Sequence, residues 1–131
     1  MDCIFCKIAK GELPCYKIYE DENFLAFLDI RPLNLGHTLV IPKKHYRWVW
    51  DVLNIGDYYE VVAKIANAIK KALHTDLVIS MVVGEEVAHA HVWLVPRFSN
   101  DGHGSVLNFE NIKEFTEREM QDVTERVKNN L

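Results

Sequence analysis

The sequence predicts an α+β fold: an antiparallel sheet of about five strands with two main helices. Three observations predict it. Short apolar runs bounded by polar turns recur through residues 16–96, a helical period interrupts them over residues 57–74, and an amphipathic stretch closes the chain. At 131 residues, without an internal repeat or low-complexity linker, residues 1–131 are expected to form one domain whose core needs no disulfide.

In chain order, "YKIYEDENFLAFLDI" predicts strands at residues 16–20 and 24–29 around the polar turn "EDEN". "GHTLVIP" predicts a buried strand at 36–42, after a loop bracketed by Pro32 and Gly36. Val61, Ile65, Ile69 and Ala72 or Leu73 recur at helical spacing, with Asp57 and Glu60 as a capping box, so a helix is expected at 57–74. "DLVISMVV" reads as a strand, "GEE" as a short turn, and the next strand carries His89 and His91, making a hairpin. In the tail, Thr116 and Glu119 form a second capping box, with Phe115 and Met120 at the staple positions. Met120, Val123, Val127 and Leu131 continue one apolar stripe.

The net charge of −4 argues against a nucleic-acid or membrane-surface partner, either of which calls for a basic face. It leaves room for a small phosphorylated ligand held by a few local donors. No apolar stretch is long enough for a membrane span, and Asp2 and Lys7 interrupt any leader-like apolar run. A cytoplasmic location with reduced thiols is expected. Cys3 and Cys6 then read as metal ligands or as buried thiols rather than as a bridge.

"VAHAHVWLVPR", residues 87–97, carries the chemistry. On a strand, His89, His91 and Trp93 share one face. Such a pair of histidines is either two surface residues or a site. Gly84 stands just before it, where a backbone can approach a ligand closely. Imidazole is largely neutral near pH 7, attacks as a nucleophile, and leaves well once protonated, which suits reversible attachment to phosphorus.

The segment "HAHVWLVPR" resembles the signature of the histidine triad family. "CIFCKIAKGELPCYKIYEDENFLAFLDIRPLNLGHTLVIPKKHY" resembles that family's N-terminal half, so the likeness runs from about Asp2 to Arg97. It implies a histidine triad-like fold, usually homodimeric, in a nucleotidyl hydrolase or transferase. Such enzymes cleave nucleoside phosphoramidates or dinucleoside polyphosphates through a nucleotidyl-histidine intermediate. By resemblance His91 is the nucleophile and His89 the orienting residue. Asp29 accepts from the ribose hydroxyls, while Ile4, Phe5, Ile8 and Ile30 clamp a purine base. Trp93 holds the third histidine position, where an indole can donate a hydrogen bond but cannot relay a proton. The amide and hydroxyl donors often found before the motif are missing, so backbone N–H groups around Gly84–Val87 are expected to hold phosphate, with Glu86 turned away or paired. Two functions follow: an enzyme using His91, or a nucleotide-binding module with little or no turnover because of Trp93.

Cys3, Cys6, His45 and His89 make a Cys2His2 set suited to tetrahedral zinc, although two buried thiols also fit the residues alone. The resemblance implies zinc, structural because four protein ligands close its shell. Cys15 reads as packing, His37 as a satisfied structural histidine and His103 as a loop residue.

Overall fold

The computed structural model of the protein describes residues 3–131. Asp2, where the resemblance begins, lies outside the described residues. The elements are α1 (Ile4–Ala9), β1 (Lys17–Glu20), β2 (Phe24–Leu28), β3 (Thr38–Pro42), α2 (Ile55–Leu73), β4 (Val78–Met81), β5 (Val92–Pro96) and α3 (Glu117–Lys128). A single 3-10 turn, Val49–Asp51, precedes α2. The five strands form one sheet in the order β1-β2-β3-β5-β4, with every neighbouring pair antiparallel. The expected α+β class is what the chain adopts.

Continuous apolar runs such as "FLAFL" and "TLVIP" suit central strands covered on both faces, and every residue of β2 and β3 is buried. Alternation divides them. Phe24, Ala26, Leu28, Val40, Val92 and Leu94 meet α2 and α3 in the larger core. Leu25, Phe27, Leu39 and Ile41 point the other way and join Phe5 of α1. The predicted stripe of α2 is buried, and Tyr58 anchors this helix by donating to the Val40 carbonyl at 2.6 Å and stacking on Phe24. Arg126 ties α3 to α2 through the Ala72 carbonyl.

Three local expectations need correction. Helix α2 starts at Ile55, so Asp57 is a first-turn acid favoured by the helix dipole, and Asn54 caps without a side-chain bond. The β4–β5 connection spans residues 82–91 instead of a tight turn. His89 and His91 precede β5 rather than lying in it, because β3 ends at Pro42, which has no N–H to extend the ladder. Ala90 N–H donates instead to the Tyr46 carbonyl at 2.7 Å. The capping box at Thr116 and Glu119 forms as expected, whereas Leu131 lies beyond α3 and is exposed.

The segment after β5 is irregular yet strongly tied. Asp101 accepts from the Arg97 side chain at 2.7 Å, from Asn34 at 2.9 Å and from Phe98 N–H at 3.0 Å. Lys113 donates to the Leu33 carbonyl, the Asn34 side chain and the Asp101 carbonyl. These bonds clip residues 98–113 to the β2–β3 loop. His103, expected as a plain loop residue, is buried within the clip, where it accepts from Asn108 N–H and donates to the Leu33 carbonyl.

The Arg97 guanidinium and the converging donors hold the Asp101 carboxyl below the usual carboxylate range. Its folded-state value lies below the unfolded value of about 3.9, so the carboxylate's contribution is complete above that pH and is lost as pH falls below it. Asp101→Asn is therefore expected to cost on the order of 2–4 kcal/mol in urea unfolding at pH 7. The difference from wild type should shrink below pH ~4. A difference independent of pH would contradict this role.

Candidate functional site

A cavity of about 570 Å³ opens on the face of the sheet opposite α2, where α1, the end of β2 and the 82–91 loop meet. Ile4, Phe5 and Ile8 line it from α1, and Asp29, Ile30 and Arg31 from the end of β2. Gly84 and Glu86 line it from the loop, with His91 just before β5 and Trp93 within it. All the residues assigned to nucleotide binding thus converge on one space. Phe5 is buried, whereas Ile4 and Ile30 are exposed at the rim, as suits a clamp that closes on a flat apolar group.

Although His89 and His91 leave the regular strand, the parity of alternation survives. Ala90 and Val92 enter the core with α2, and His91 and Trp93 face the cavity. His91 Nδ1 lies 2.7 Å from the His89 carbonyl. A carbonyl only accepts, so Nδ1 carries the proton and Nε2 keeps a free lone pair. Burial lowers the proton affinity of His91, partly offset by its carbonyl bond, with Glu86 raising it and Arg47 lowering it further. Phe5 packs edge-on against the same ring, 5.1 Å between centroids.

His89 is fully buried and held twice. Its Nε2 donates to the Pro42 carbonyl at 2.8 Å, which leaves Nδ1 as a lone pair. Facing that lone pair are Cys3 Sγ at 3.3 Å, Cys6 Sγ at 3.5 Å and His45 Nδ1 at 3.2 Å. All four ligand atoms lie within 4.8 Å of one another. Metal bonds of about 2.0–2.3 Å in a tetrahedron give edges of roughly 3.3–3.8 Å, close to the 3.2–3.5 Å separations among these atoms that involve His89 or join Cys6 to His45. Four converging lone-pair donors are also poorly compatible with an apolar packing role. The expected cluster is therefore assembled, and its geometry can hold a metal ion.

Asp29 accepts from Arg31 N–H at 2.9 Å through one oxygen, and its other oxygen makes no hydrogen bond to the described residues. Burial raises its carboxyl above the usual range, and the nearby Glu86 adds to the shift. His37 is only half satisfied: Nδ1 accepts from Leu33 N–H, but Nε2 stays 3.7 Å from Asp29 and has no hydrogen-bond partner among the described residues. Burial pushes its pKa down to about 3, so this ring is neutral.

Several features were not legible. Glu86 lines the cavity rather than turning away, and no ion pair among the described residues engages it. Gly84 approaches Trp48: a Cβ there would come within 3.0 Å of that indole, at a φ of +80°. Cys15 packs, as expected, against the cluster that holds Phe5, Leu25 and Phe27, and it also lines the cavity beside Leu13 and Pro14. Trp93 lies between His37, 4.9 Å away, and Phe109, 5.5 Å away, so the clipped 98–113 segment supplies an aromatic wall. A side chain sixteen residues downstream in an irregular segment leaves no periodic signal; only its apolar character in a polar stretch marks Phe109.

Similarity to known proteins agrees with this geometry. An uncharacterized HIT-like protein of Borreliella burgdorferi is 44% identical over 92% of this chain and 95% of its own. The adenosine 5'-monophosphoramidase hnt1 of Schizosaccharomyces pombe is 37% identical over 79% of this chain and 80% of its own. Among solved structures, a zinc-bound histidine triad family protein from Mycobacterium smegmatis superposes with a TM-score of 0.83 at 34% identity, covering 99% of this chain and 93% of that one. Residues 10–100 match the HIT domain, and the chain belongs to the HIT family.

Proposed function

We propose that the protein is a nucleotidyl hydrolase or transferase that cleaves nucleoside phosphoramidates or dinucleoside polyphosphates through a nucleotidyl group on His91. The observation that carries this reading is the bond from His91 Nδ1 to the His89 carbonyl, which leaves Nε2 unprotonated inside the cavity. A purine base lies among Ile4, Phe5, Ile8 and Ile30, and the ribose hydroxyls donate to the unoccupied oxygen of Asp29. Nε2 attacks the α-phosphorus, a P–N bond forms, and the bond to the leaving group breaks. Water then attacks phosphorus, and nucleotide leaves as the imidazole recovers its lone pair. Backbone around Gly84 flanks the phosphate. Support comes from the phosphoramidase activity named for the fission-yeast relative.

Zinc is the ion we assign to Cys3, Cys6, His45 and His89. When bound, it supplies structural cross-linking, since four protein ligands leave no open position. It would fix the His89 ring and hence the carbonyl that orients His91. We further propose a cytosolic homodimer, for which β4 offers a sheet edge that is unpaired among the described residues. Among the described residues no helix is long and apolar enough to cross a membrane.

A second reading, a nucleotide-binding module without turnover, draws on Trp93. Wedged between His37 and Phe109, its indole cannot hand a proton to a poor leaving group. A mass measurement after mixing with a purine nucleoside phosphoramidate separates the two. The enzyme gives a nucleotidyl adduct that His91→Ala abolishes, while nucleotide affinity stays within about tenfold. A variant keeping a tenth of wild-type turnover removes His91 from the role.

Asp29→Ala should weaken ribonucleotide binding by about 1–3 kcal/mol and leave 2′,3′-dideoxy analogues nearly unchanged. Equal losses would mean that Asp29 does not hold the ribose. Elemental analysis should find close to one zinc per chain, and chelation should lower the melting temperature. Cys3→Ser should reproduce the chelator's effect and Cys15→Ser should not; metal-free protein of unchanged stability would refute the assignment.

A further inference from the structure

A second cavity of about 330 Å³ adjoins the first and shares Ile4, Glu86 and Val87 with it. His45, Arg47 and Ala88 complete much of its wall. The Arg47 guanidinium carbon lies 3.6 Å from the centroid of a Trp48 ring, a stacking contact that holds the guanidinium against the indole. Its Nη1 is buried and makes no hydrogen bond among the described residues. A buried guanidinium donor without an acceptor is costly, so such a group calls for a ligand. Glu86 lines the same cavity, yet no ion pair joins it to Arg47 among the described residues.

Trp48 is itself fixed by the loop. Gly84 adopts a positive φ and brings its backbone against the indole; a Cβ there would also stand 3.8 Å from Arg47 Nη1. The guanidinium therefore lies beside the loop that borders both cavities. That loop, "VVGEEVA" at residues 82–88, contains no hydroxyl or amide side chain. Arg31 lines the main cavity and not the second, and stands beside Asp29 and Ile30 at the ribose and base end. A planar fork of N–H donors is matched to the oxygens of phosphate.

We propose that this second cavity receives the leaving group of the nucleotide conjugate and that Arg47 selects a leaving group bearing phosphate. The inference rests on the nucleotide reading of the main cavity and names its substrate class: conjugates with a phosphate beyond the α-phosphorus, rather than those with a neutral or cationic amine. It also gives the site a way to work with Trp93. A phosphate departs as an anion that Arg47 stabilises, so no proton relay at the third motif position is needed.

Calorimetry with the zinc-loaded protein tests this, using nucleoside, nucleoside monophosphate and α,β-methylene diphosphate in parallel adenosine and guanosine series. For the better-bound base, the wild type should hold the methylene diphosphate at least about tenfold more tightly than the monophosphate. Arg47→Gln should erase that gain, an effect of about 10–100-fold, and change nucleoside and monophosphate affinity by less than about threefold. Arg47→Lys should restore part of it, because charge is kept while the fork is lost. Intact nucleoside binding reports that each variant is folded. If nucleoside and monophosphate bind but the second phosphate adds nothing, or if Arg47→Gln weakens all three ligands equally, the subsite is refuted while the nucleotide pocket stands. If neither nucleoside binds the wild type, the nucleotide reading fails and the subsite falls with it.

Discussion

The site depends on how His89 is held. Its Nε2 is committed to the Pro42 carbonyl, its Nδ1 faces two thiols and a second imidazole, and its backbone carbonyl takes the Nδ1 proton of His91. One residue therefore joins the end of β3, the N-terminal helix and the His91 imidazole. Ring, backbone and neighbour cannot shift independently. Because the ring is fully buried, leaving either nitrogen unpaired would carry a desolvation cost of about 1–3 kcal/mol, so each partner is needed.

The sheet supplies the frame for this arrangement by having different work on its two faces. Apolar residues of one parity meet α2 and α3, while the other parity meets α1 and opens into the cavity. His91 and Trp93 inherit the second parity although His91 lies outside the ladder. The far wall comes from an irregular segment whose stiffness is polar: Asp101 and Lys113 lock it to the β2–β3 loop, and Phe109 is thereby brought to Trp93.

Much of this was legible in the sequence because it is periodic or local. The α2 stripe, the Thr116 box and the two buried strands each follow from spacing within a few residues. The convergence of Cys3 and Cys6 with His45 and His89 is a long-range fact; only the likeness to a known family pointed to it. The start of β5 was misplaced because alternation continues past the point where Pro42 ends the ladder, and alternation alone does not reveal hydrogen bonding. Arg47 and Phe109 were hidden, and the orientation of Glu86 was misjudged, for another reason. Their importance lies in which cavity they line, and neither residue type nor spacing records that.

The central claim is that His89 presents His91 with a bare Nε2. Long-range proton–nitrogen correlation spectra of the histidine rings at neutral pH test it directly. The account predicts that His91 carries its proton on Nδ1 and His89 on Nε2, each with one unprotonated nitrogen. His91 protonated on Nε2, with Nδ1 bare, would contradict the account, because the nitrogen assigned to attack phosphorus would then hold no lone pair.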